Sequence, residues 1–101
     1  MSKQVSVEIV HAALGNPEVA IIDVRTPGEF SRGAIQGSTN IPVDEIREKI
    51  EAFIPDKDKT IYLYCLSGSR SETAANILTG LGYTNACSMS NGLLMWRSKK
   101  Y

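Results

Sequence analysis

The residues best placed to do chemistry are Cys65 and the short polar loop after it, Leu66-Ser67-Gly68-Ser69-Arg70-Ser71. Thr60-Ile61-Tyr62-Leu63-Tyr64, rich in β-branched and aromatic side chains, runs into the Cys, and Glu72-Thr73-Ala74-Ala75-Asn76-Ile77-Leu78 follows as a helix former. This order predicts a strand, a tight turn and a helix, with a thiol at the turn. Backbone N–H groups in the first turn of a helix have no partner inside it, and the helix dipole adds partial positive charge there. A sulfur held over those groups is stabilised as the anion. The thiolate is the nucleophilic form, and a helix N-terminus with a nearby Arg or Lys lowers a Cys pKa from about 8.5 to roughly 3.5 to 7.5. Cys65 therefore reads as a reactive thiol. Gly68 permits a positive φ in the turn, and Ser67, Ser69 and Ser71 offer hydroxyls to an anionic ligand or to the helix start. Ser69 with Glu72 fits a capping box, and Arg70 adds a permanent charge beside the loop.

A chain of 101 residues is the size of one domain, residues 1–101, able to bury a core without disulfides or structural metal. Eleven basic and eleven acidic residues cancel, and no cluster of Lys or Arg extends beyond Lys99-Lys100. Nucleic acid and anionic membrane are therefore not expected as partners. The first residues carry no apolar run of signal-peptide length, and no stretch approaches the roughly 20 apolar residues of a membrane span, so a soluble, cytoplasmic chain is expected. In that setting Cys65 and Cys87 are expected to stay reduced. They are too far apart for a CxxC motif, and the single His completes no Cys/His set of zinc-ligand spacing, so neither metal nor other cofactor is expected.

The remaining elements must position the thiol. Val5 to Leu14 reads as a short strand and then a helix capped by Ser6, with Ile9, Ala13 and Leu14 on one face and Gly15-Asn16-Pro17 ending it. Val19-Ala20-Ile21-Ile22-Asp23-Val24 is a continuous apolar run, the pattern of a parallel strand covered on both faces, with Asp23 and Arg25 where it emerges. Thr26-Pro27-Gly28-Glu29 is an explicit helix start: Thr26 at N-cap, Pro27 at the first helical position, Glu29 completing the box. A brief extended piece is predicted at Thr39 to Ile41. An amphipathic helix follows over Val43 to Phe53, with Ile46, Ile50 and Phe53 as its stripe and Glu45-Lys49 as an exposed i,i+4 pair. Beyond the loop, Ala74, Ala75, Ile77, Leu78 and Leu81 supply a buried helix face stopped by Gly82; Thr84 to Met89 is a strand, and Gly92-Leu93-Leu94-Met95-Trp96 opens a last helix. Strands alternating with helices imply an α/β domain with a mostly parallel sheet and helices on both faces. Ligands of such sheets bind outside the carboxyl ends of the strands, where Cys65 and Arg25 both fall.

Four of these segments together resemble the rhodanese-type sulfurtransferases. Ile22 to Phe30 and Gly33 to Pro42 are similar to that family's two front-half signatures, Cys65 to Ser71 to its active-site loop, and Asn91-Gly92-Leu93 with Trp96 to its closing signature. The resemblance covers nearly the whole chain in the right order. It implies a single rhodanese domain with a central five-stranded, mostly parallel sheet and Cys65 as the persulfide carrier. Two positions depart from the pattern: Ala34 stands where many members have His, and Asn91 where a second Gly is common. Asp23 and Arg25 divide between orienting a substrate and supporting Glu29 and the loop as a structural pair.

The chemistry this implies is sulfur transfer. The Cys65 thiolate would take a sulfane sulfur from thiosulfate or a polysulfide and pass it to cyanide or to a small or protein thiol, with Leu66 to Ser71 cradling the persulfide and Arg70 attracting an anionic donor. A Cys-dependent phosphatase or arsenate enzyme is the rival within enzymes. Tyrosine-phosphatase-like loops separate Cys and Arg by five residues, whereas four lie between Cys65 and Arg70, a ring better sized for one sulfur than for a tetrahedral oxyanion. A rhodanese-like interaction module is the rival from another class, and such modules commonly lack the Cys. Free cysteines are often inert core residues, which suits Cys87, but the Gly/Ser/Arg loop after Cys65 is poor core material. His11 is remote from every other motif and reads as a surface or half-buried helix residue rather than a base.

Overall fold

A computed structural model describes residues 3–101. Five strands form one sheet: β1 (Lys3–Val5), β2 (Val19–Asp23), β3 (Thr39–Asn40), β4 (Thr60–Tyr64) and β5 (Ala86–Met89). The order is β1-β5-β4-β2-β3, and every pairing is parallel. Helices α1 (Val7–Ala12), α2 (Pro27–Ser31), α3 (Ile46–Phe53), α4 (Ser69–Gly80) and α5 (Gly92–Ser98) connect or follow the strands. The β4 strand lies between β5 and β2, and it is buried because a parallel sheet carries helices on both faces.

Strand alternation divides the core in two. Ile22 and Val24 from the β2 end, Ile61 and Leu63 of β4, and Ala86 of β5 face α3 and α4 through Ile46, Ile50, Ala74, Ala75 and Leu78. Ile21, Tyr64, Cys87 and Met89 face the other way, against Val7 and Val10 of α1 and Leu93 and Trp96 of α5. Each fully buried Ile or Leu contributes roughly 1.5 to 3 kcal/mol over an exposed one. The two small residues Ala74 and Ala75 are wholly buried and let α4 lie close over the sheet. That packing fixes the start of α4 beside the end of β4.

Several local expectations hold. Ser6 caps α1 by accepting from the Ile9 amide, and Thr26, Pro27 and Glu29 form the complete capping box of α2. Others shift. The α1 helix ends at Ala12 and buries Val7 and Val10, so Ile9 lies on its outer side, 52% exposed. The α3 helix starts at Ile46 and ends at Phe53, where extension of the chain at Ile54 (φ −130°) turns Ile54 into the core and leaves Phe53 half exposed. The last strand begins at Ala86, two residues later than the apolar pattern suggests. No helix of the described residues is long and apolar enough to cross a membrane.

Candidate active site

Cys65 follows the last residue of β4, and its sulfur sits over the turn that leads into α4. The amides of Gly68 and Ser71 both donate to Sγ, at 3.1 and 3.4 Å. The Ser71 hydroxyl lies 3.7 Å from the same sulfur. Burial pushes the Cys65 thiol up, but the Ser71 amide and hydroxyl and the amides of Gly68 and Ser67 together outweigh it, so its pKa lies below the ordinary thiol value. Two amides aimed at one atom distinguish this cysteine from an inert core thiol. Cys87, by contrast, is raised by burial, and among the described residues its sulfur has one long hydrogen-bond contact, to the Asn85 side chain at 3.8 Å. Both cysteines are free.

The loop gets its shape from Gly68 and from α5. Gly68 occupies the N-cap of α4 with φ +116°, a conformation open to glycine, and no side chain caps this helix. The expected Ser69–Glu72 capping box is therefore absent: α4 already starts at Ser69, so that residue is inside the first turn. Ser71 is fully buried and Ser67 and Ser69 point outward. From the other side, the Leu93 and Leu94 amides at the start of α5 donate to the carbonyls of Cys65 (2.9 Å) and Leu66 (3.1 Å). The start of one helix thus holds the backbone whose own amides hold the sulfur. Asn91 has φ +63°, a region Asn tolerates nearly as Gly does, so its departure from the family pattern costs little in backbone conformation.

Arg70 stands differently from expectation. Its guanidinium makes a two-pronged pair with Glu29, Nη1 to Oε1 at 2.7 Å and Nη2 to Oε2 at 3.1 Å. Arg70 and the Thr26 amide hold the Glu29 carboxyl down at about 2. The charge of Arg70 is therefore largely committed to tying α2 to α4, because Glu29 is both the capping-box acid and its partner. Arg25 is hydrogen-bonded elsewhere, to Asp23 and Gly33, and Glu29 acts on it only through its charge. Arg25 is 3% exposed and pairs with the fully buried Asp23 (2.7 Å) while donating to the Gly33 carbonyl at 2.8 Å. Asp23 in turn raises the Arg25 pKa by accepting its hydrogen bonds. These two residues were placed by the sequence pattern where a strand meets solvent, yet both are buried, because the chain after α2 folds back over them. In this arrangement they support the Gly33 loop and offer no charge to the surface.

Tyr64 closes the same layer: its hydroxyl accepts from the Ile35 amide at 3.0 Å and shares a hydrogen bond with Ser38 at 2.9 Å. Burial pushes that phenol up to about 12. Three contributions escaped the sequence reading: the Glu29 partnership with Arg70, the α5 amides, and Ser88 of β5, whose hydroxyl is 2.7 Å from Ser71. Only Gly92, after an Asn that favours the left-handed region, carried any local signal of them. Among the described residues no group of three His, Cys, Asp or Glu could hold a metal ion. An open groove runs along the outside of the loop, walled by Ser67, Gly68, Ser69, Glu72, Ser90 and Asn91. Beyond Ser67 and Asn91 it gives way to a second face formed by Leu94, Met95 and Ser98.

The architecture is thus that of a parallel α/β domain with a cysteine at a strand's carboxyl end whose sulfur receives two backbone amides. More narrowly, the chain belongs to the rhodanese-like domain family, whose family model matches residues 6–99. It is 38% identical over 96 residues to a putative mitochondrial thiosulfate sulfurtransferase of Schizosaccharomyces pombe, with 84% of this chain and 68% of that protein covered. It is 42% identical over 64 residues to the thiosulfate sulfurtransferase PspE of Escherichia coli, with 63% of this chain and 62% of that protein covered. Against a solved human single-domain sulfurtransferase the TM-score is 0.87 at 25% identity, with the full length of both chains covered.

Proposed function

We propose that this protein is a sulfurtransferase that carries a sulfane sulfur as a persulfide on Cys65. The observation that carries the reading is the pair of amides, Gly68 and Ser71, directed at Sγ. The names of its relatives point the same way. In the first half-reaction the Cys65 thiolate attacks the outer sulfur of thiosulfate or a polysulfide. A new S–S bond forms at Cys65, the donor's own S–S bond breaks, and its electron pair leaves with sulfite or the shortened polysulfide. The product is Cys65–S–S⁻, whose charge the amides of the same loop would stabilise. In the second half-reaction cyanide or a thiolate attacks the terminal sulfur, leaving as thiocyanate or a new persulfide, and the electron pair of the broken bond returns to Cys65. No net oxidation occurs and no metal or organic cofactor is called on.

The groove over Ser67 and Gly68 is where donor and acceptor would stand in turn, and it is open enough for a small molecule or for the thiol of a partner protein. Arg70 and Arg25 act as supports in this scheme, Arg70 by locking α2 to the loop and Arg25 by holding Asp23 and Gly33. Donor charge would then be met chiefly by amide dipoles.

Initial-rate kinetics with thiosulfate and cyanide test the reading. Parallel double-reciprocal lines, abolished in Cys65→Ser, are expected from two separate half-reactions. A Cys65-dependent aryl-phosphate turnover faster than the thiosulfate reaction would replace this reading with the phosphatase one, and turnover indifferent to Cys65 would leave an interaction module.

A further inference from the structure

We propose that Ser88 is a positioning residue for Cys65, its buried hydroxyl acting through Ser71 to keep a proton donor on the sulfur. Ser88 belongs to β5 and is fully buried. Among the described residues its hydroxyl has one hydrogen-bond partner, the Ser71 Oγ at 2.7 Å, which is equally buried. Ser71 in turn meets the Gly68 carbonyl at 3.1 Å and the Cys65 Sγ at 3.7 Å. A serine hydroxyl has one proton and two lone pairs, which fixes how these contacts can be filled.

When Cys65 is a neutral thiol, its S–H and the Ser88 O–H both donate to Ser71 Oγ, and Ser71 donates to Gly68. Two donors crowd one oxygen and weaken each other. When Cys65 is a thiolate, Ser71 turns its proton to the sulfur while still accepting from Ser88. The three groups then form a donor chain in series, in which each bond polarises the next. Ser88 therefore favours the charged form although it does not touch the sulfur. Its neighbours on β5, Cys87 and Met89, look to the opposite core, so alternation of the strand brings Ser88 and the apolar Ala86 to this side, and of the two only Ser88 carries a polar side chain. The charged groups around the sulfur are few. Arg70 of α4 interacts with it electrostatically but is paired with Glu29 of α2, and Asp23 and Arg25 at the β2 end are paired with each other. From α5 and β5 come backbone amides and the Ser88 hydroxyl, with no acid in the first turn of α5.

The inference rests on the sulfur-transfer reading only for its consequence, faster persulfide formation, and its test does not use that reaction. Iodoacetamide alkylation is followed against pH, with Cys65 and Cys87 read separately by peptide mass. Ser88→Ala is expected to move the Cys65 midpoint upward by roughly half a pKa unit. Ser71→Ala is expected to move it further, and the double variant to match Ser71→Ala, because Ser88 acts through Ser71. Ser88→Thr, which keeps the hydroxyl, is expected to follow the wild-type profile. A Ser88→Ala profile that overlays wild type overturns the inference. So does a double variant in which the two shifts add, or a threonine variant that shifts as alanine does, since packing on β5 would then be the cause. A depressed Cys65 midpoint that depends on Ser88, in a protein that takes up no sulfur, would sink the proposed function and leave this inference standing.

Discussion

Replacing Gly92 with Ala puts a methyl group into the backbone that carries Cys65. The new Cβ would lie 2.6 Å from the Leu66 carbonyl carbon and 2.7 Å from the Cys65 carbonyl oxygen, with the Leu66 oxygen closer still. These are backbone atoms with no rotamer to change, so α5 must lift away from the loop. Gly92 also has φ +60°, which costs an Ala on the order of 1 kcal/mol. Lifting α5 further strains or breaks the Leu93 and Leu94 bonds to Cys65 and Leu66, each worth about 0.5 to 1.5 kcal/mol. The combined loss is on the order of 3 kcal/mol. At about 4 to 8 °C per kcal/mol for a domain of this size, Tm should fall by roughly 12 to 24 °C. Below that Tm the folded variant should show a Cys65 alkylation midpoint moved toward the ordinary thiol value, because the displaced loop no longer aims its amides at the sulfur. Asn91→Gly is the control: it sits in the same left-handed region without a clash and should keep both Tm and midpoint. Gly92→Ala with a Tm within about 3 °C of wild type and an unchanged midpoint would refute the claim that α5 holds the loop.

Three further outcomes are expected. Glu29→Gln should weaken the α2–α4 tie, and the difference from wild type should vary with pH. Glu29 is depressed to about 2, so its contribution is fully present above the ordinary carboxylate range and is lost as pH falls through about 2. Denaturation midpoints across that range measure it, and solvent screening of this partly exposed pair keeps the effect to about 1 kcal/mol. Tyr64→Phe should cost roughly 1 to 3 kcal/mol, because it strands the Ile35 amide without its acceptor, as chemical denaturation would register. Cys87→Ser should leave sulfur loading intact, since that thiol lies on the opposite side of β5 from the Ser88 hydroxyl and has no amide directed at it; the persulfide assay checks this.

What the sequence made readable follows from the range over which each signal acts. Thr26, Pro27 and Glu29 act within one helical turn, and the box they spell forms as written. The alternation Ile61-Tyr62-Leu63-Tyr64 sorts its own side chains onto two faces, and a glycine three residues past the Cys yields the turn that aims amides at sulfur. Contacts set by sheet order are another matter. Arg70 meets Glu29 across 41 residues, and Ser71 meets Ser88 across 17, because β4 lies between β2 and β5, an order that local pattern does not encode. The same gap explains Asp23 and Arg25: they look like charges at a strand's exposed end until the Gly33 loop is folded over them. Phe53 and Ile54 show a subtler failure. The apolar period is right through Ile50, but the helix stops one residue before the side chain that enters the core.

Whether Cys65 holds transferable sulfur is read from the intact mass of the protein after incubation with thiosulfate or polysulfide. A gain of one sulfur atom per chain is expected, located on the Cys65 peptide, removed by cyanide and missing in Cys65→Ser. No added sulfur on wild-type protein, or the same gain in Cys65→Ser, would contradict it.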